Sequence, residues 1–133
     1  GKSKKILMPM VHKSAVQLET DGKIINYFEC SPELPLQIEA KGKKTMRIMT
    51  RLQFSEKMGQ EEAYRLRVSE GNKIIGTYYF STERSSASQI KGRMDKVPGK
   101  WRSCEFNVPK GKHRYDLEVL DRDKVVLTRF ILY

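Results

Sequence analysis

Four arginines are the residues of this chain best able to do chemistry. Arg47 and Arg51 lie in the run Met46–Phe54, and Arg65 and Arg67 in Ala63–Val68, each on the polar beat of an alternating pattern. A guanidinium fork donates two parallel hydrogen bonds to a carboxylate or phosphate, so such a set suits the holding of an anion. The wider charge distribution agrees. The net charge is +10 over 133 residues. Between Arg84 and Arg114, nine basic residues meet only Asp95 and Glu105, and Lys41–Arg51 carries five with no acid. Trp101 and Tyr78 add aromatic surface that could stack on a sugar ring or a partner. Tyr78 and Tyr79 are adjacent, so in a strand their rings face opposite ways.

Catalytic machinery is missing from this inventory. His12 and His113 are the two histidines, one near the start and one beside a turn signal, and both read as surface residues. Ser85, Ser86 and Ser88 sit in a polar stretch without the strand–turn–helix context of a nucleophile elbow. There is no phosphate-binding loop and no dinucleotide glycine fingerprint. Asp121-Arg122-Asp123 has the start of a calcium loop but lacks its remaining oxygen ligands. Cys30 and Cys104 have no second Cys or His at metal spacing. They read either as two buried thiols or as a disulfide between opposite sheets, which an oxidising compartment would allow. We therefore expect no enzyme, no cofactor and no bound metal.

The elements that must position these residues are strands. Ser14–Glu19 and Lys23–Cys30 flank Thr20-Asp21-Gly22, a hairpin signal. Leu36, Ile38 and Ala40 alternate up to Lys41-Gly42, and Met46–Phe54 then forms the clearest strand. Ala63–Val68 and Lys73–Ser81 surround a turn at Glu70-Gly71-Asn72. Cys104–Val108, Tyr115–Val119 and Val125–Tyr133 follow, punctuated by Pro109-Lys110-Gly111-Lys112 and Asp121-Arg122-Asp123. Thr82–Gly99 is Ser-rich and basic and reads as a long loop, with one helical turn possible at Ser88–Met94; such loops are often functional. The sum is an all-β, antiparallel two-sheet sandwich of eight or nine short strands, with a closed barrel as the alternative. If Met46–Phe54 and Ala63–Val68 are neighbours, the four arginines form one basic sheet face. Residues 1–13 form a basic N-terminal segment, with Gly1 the residue that tag removal leaves, and 14–133 the single domain. No apolar stretch reaches the length of a membrane-spanning helix.

Val108-Pro109-Lys110-Gly111-Lys112-His113-Arg114-Tyr115-Asp116-Leu117-Glu118-Val119-Leu120-Asp121 resembles a hairpin of immunoglobulin-like sandwiches, of the early-set group that includes glycogen-binding modules. The resemblance implies an immunoglobulin-like sandwich. In that family aromatic platforms, mainly tryptophans, hold sugar with Lys and Asn alongside. Trp101 precedes the motif, so no binding residue is carried over from it.

The expected function is a non-catalytic binding module of a larger or exported protein, periplasmic, envelope or extracellular. Its partner would be a protein or an anionic glycan, held by Arg47, Arg51, Arg65, Arg67, Tyr78 and Trp101. A barrel reading single-stranded nucleic acid and a purely structural envelope domain are the alternatives.

Overall fold

The computed structural model describes residues 3–12 and 14–133. Gly1 and Lys2, which open the basic N-terminal segment, and Lys13, which ends it, lie outside the described residues. The described chain forms β1 (Lys5–Leu7), β2 (Ala15–Thr20), β3 (Lys23–Cys30), β4 (Leu36–Phe54), β5 (Glu61–Glu70), β6 (Lys73–Glu83), β7 (Ser88–Ile90), β8 (Val97–Pro98), β9 (Arg102–Val119) and β10 (Val126–Leu132). All pairings are antiparallel, in the order β6-β5-β9-β4-β10-β3-β2-β7, with β1 added to β10 and β8 to β4. This is an all-β sandwich whose two layers are joined through shared strands.

β4 and β9 are the long strands because each serves both layers. Gln37–Lys41 faces Lys112–Asp116, and Lys44–Thr50 faces Arg102–Val108. The ladder bends where Gly42 opposes both Gly111 and Lys110. The breaks expected at Lys41-Gly42 and at Pro109–Lys112 are thus two sides of one bulge, not chain reversals, and the segment 108–121 is mostly a single strand rather than a hairpin. The glycines are what permit it. Gly111 sits at φ +101°, and a Cβ on Gly42 would collide with the carbonyl groups of Val108 and Pro109.

The first layer holds β6, β5, the end of β9 and the start of β4. The second holds the start of β9, the end of β4, β10, β3, β2 and β7. Alternation fills the space between them with Phe28, Ile38, Met46, Ile48, Leu52, Phe54, Leu66, Leu117, Val126 and Phe130. The Tyr64 hydroxyl and Thr50 Oγ1, 2.7 Å apart and buried, tie the layers. His113 Nδ1 donates to the Glu70 carboxylate (2.7 Å), which raises the pKa of His113 and pins the β5–β6 turn to β9.

Cys30 and Cys104 are free buried thiols, and burial pushes each up to about 12. Cys30 lies on β3 and Cys104 on β9, and no disulfide joins them. The long loop is also more ordered than expected. It contributes β7 and β8, and Ser88–Ile90 is strand rather than helix.

Gly42→Ala should cost about 3 kcal/mol, seen as a lower urea midpoint with unchanged slope. Gly59→Ala, whose new methyl meets nothing closer than 3.4 Å, should stay within about 0.5 kcal/mol. Equal costs would contradict the bulge account.

Candidate ligand-binding site

The outer face of the second layer is where polar and aromatic groups converge. Leu18, Tyr27, Ile90 and Leu127 are buried there, away from the main core, with Val16, Ile25 and Met49 packed on them. On a flat sheet the side chains of β2 and β4 would stand three strand spacings apart, about 14 Å. Their shared cluster requires the layer to curl into a trough.

The open end of that trough is a cavity of about 690 Å³. Ser85–Ala87, from the segment between β6 and β7, and Ser88, the first residue of β7, make one wall, with Thr20 Oγ1 2.6 Å from Ser88 Oγ. Trp101, Arg102 and Ser103 make the other, and Arg51 contributes to its lining. Register explains the tryptophan. β8 and β9 both pair with β4, but one residue out of step, so Lys100 and Trp101 bulge outward between them. Trp101 is left 55% exposed on the lip. Arg84 anchors the wall from behind, donating to Ser55 O (2.7 Å) and Met58 O (2.9 Å) with its guanidinium 5.0 Å from the Phe54 ring.

Arg51 is only 7% exposed. Its Nε donates to Gly99 O at 2.8 Å, and the Tyr27 phenol lies beside it. Burial pulls the guanidinium below its usual range, and pushes Tyr27 up against the opposing pull of Arg51 and Arg129. Among the described residues no carboxylate pairs with Arg51 or Arg129, and the buried Arg129 Nε has no hydrogen-bond partner. Lys100 is different, since it pairs with Glu83. A desolvated guanidinium without a carboxylate, under an aromatic lip and between hydroxyl walls, can hold an anionic group and stack a ring at once.

The expected single face of four arginines does not form, because β5 pairs with β6 and β9, never with β4. Arg65 and Arg67 lie on the outside of the first layer, where Arg65 is held by Asp121 (2.9 Å) and Arg67 Nε reaches Thr77 Oγ1 (3.2 Å). Arg47 shares the outer face with Arg51 but is paired to Glu105 at 3.0 Å. Tyr78 also differs from expectation. It points inward against the core, and Tyr79 is the outward ring, 72% exposed. Of the six candidates, only Arg51 and Trp101 meet at one cavity. The serine wall lies in the Thr82–Gly99 stretch expected to engage the partner, whereas Thr20 and Tyr27 were missed and had no sequence signal of their own.

No family model and no curated protein matches this chain. Solved structures do. A CBM36-1 domain of a multidomain xylanase from the hindgut metagenome of Trinervitermes trinervoides superposes with a TM-score of 0.52 at 11% identity, over 98% of this chain and 97% of that one. A carbohydrate-binding module CBM36 in complex with calcium and xylotriose gives 0.52 at 6% identity, over 99% and 100%. The C-terminal CBM6 of LamC from Zobellia galactanivorans gives 0.47 at 11%, over 98% and 100%. At these identities the shared property is the β-sandwich fold.

The chain has one tryptophan, so its fluorescence reports the lip directly. Emission should be that of a hydrated indole, and iodide should quench it more strongly than caesium because Lys100 and Arg102 flank it. Blue-shifted emission closed to both ions would contradict the exposed lip.

Proposed function

We propose that this chain is a non-catalytic binding module that takes an anionic glycan in the trough between Ser85–Ser88 and Trp101. The observation that carries the reading is Arg51, buried beside the cavity without a carboxylate partner. Trp101 supplies the stacking platform and the serine hydroxyls the adaptable hydrogen bonds. Support also comes from the fold, since the structures it superposes on include carbohydrate-binding modules, one holding xylotriose. A sugar carboxylate would accept hydrogen bonds from the guanidinium N–H groups that Gly99 O and the Tyr27 phenol leave free, and would meet little repulsion, because no acid lines the cavity.

A protein partner is the second reading, favoured by the outside of the first layer. There Tyr79 is exposed opposite Arg65, with Ile74 exposed further along the same strand pair opposite Ser69, and aromatic and arginine residues are enriched in interfaces.

Affinity electrophoresis through polygalacturonate and through neutral xylan tests the glycan reading. Wild type should be retarded by the acidic polymer. Arg51→Gln should weaken that binding by about tenfold, the worth of one charge-assisted hydrogen bond, and Trp101→Ala should weaken it further. Thermal melting of each variant confirms that it is folded. Equal mobility of folded wild type and both variants would overturn the proposal.

A further inference from the structure

The opposite end of the sandwich carries a second concentration of charge that the trough does not use. Lys5, Lys41, Lys44 and Lys112 line one hollow of about 480 Å³ beside the Gly42 bulge. Lys41 is ten residues from Arg51 on the same strand, roughly 33 Å by strand rise, so the two places are separate. Glu39 is the one acid lining the hollow, and it is already engaged by Lys112 (3.4 Å) and Arg114 (3.9 Å).

The register makes this arrangement unfavourable in the free protein. Lys41 and Lys112 stand directly opposite each other across the β4–β9 ladder. Like charges at opposed positions destabilise an antiparallel pair, and within one hollow they are closer than a Debye length. Glu39, shared between Lys112 and Arg114, offsets only part of this repulsion, and sequences that break a local rule tend to do so at functional sites.

We propose that this hollow binds a compact, multiply charged phosphate group. Four ammonium groups against one carboxylate leave three positive charges in excess, which a lone carboxylate cannot match. Lysine is a point charge with three rotatable donors and suits phosphate oxygens arranged around a centre. No aromatic ring lines the hollow, so stacked bases are not the fit. The site is independent of the glycan reading.

Inorganic tripolyphosphate is the probe, titrated calorimetrically into the full chain. Lys41→Gln/Lys112→Gln should lose about tenfold in affinity, while Lys23→Gln/Lys57→Gln, with the same change in net charge but away from the hollow, should bind as wild type. Binding that is absent, or weakened equally in both variants, would overturn the proposal. Phosphatidylcholine vesicles with and without phosphatidate separate the sources: co-sedimentation assigns a lipid headgroup, and its absence a soluble phosphate.

Discussion

Everything in this molecule depends on β4 and β9 remaining hydrogen-bonded to each other while they turn from one layer into the next. A flat ladder of that length could not close a sandwich, and a broken one would leave backbone groups unpaired in the interior. The bulge at Gly42 and Gly111 resolves the conflict by letting the backbones approach where no side chain would fit. From that bend follow the packing of Ile38, Met46, Ile48, Tyr115 and Leu117 between the layers, and the tie between Tyr64 and Thr50. The curl of the second layer, and with it the trough, begins at the same two strands.

The trough sets a buried cation against the usual rules of burial. Desolvating a guanidinium is costly unless its donors are met, and Arg51 is met only in part, by Gly99 O and the Tyr27 phenol. A lysine there would shed its proton more readily, whereas arginine keeps its charge. Arg129, beside the same phenol, deepens the positive potential that an incoming anion would feel. Arg47 and Arg65 show the contrast. Each faces a carboxylate at the surface, where such pairs contribute little and leave no charge for a ligand.

How much of this could be read from sequence depends on how local the signal was. Alternation placed Ile48, Leu66 and Val119 on the buried side, because a period of two needs no knowledge of partners. Gly and Pro at 42, 109 and 111 marked real departures from straight strand, but a bulge and a turn share the same residue types. Strand neighbours were not legible. That Arg51 and Arg67 lie on opposite outer faces depends on β5 choosing β9 over β4, a long-range choice. Tyr78 and Tyr79 were ambiguous for the same reason, since only the register against Leu66 and Arg65 decides which ring turns inward. The trough itself, assembled from β2, β4, β9 and the Ser85–Ser88 wall, had no signature in any single segment.

The most direct test of the trough is an NMR titration of the isotopically labelled chain with a short oligogalacturonate, following backbone amides and the Trp101 indole N–H. A ligand held between the serine wall and the lip predicts shifts at Thr20, Ser88, Trp101 and Ser103, with Arg65, Arg67 and Tyr79 unmoved. Shifts confined to those last three residues, or to the lysines around Gly42, would contradict it.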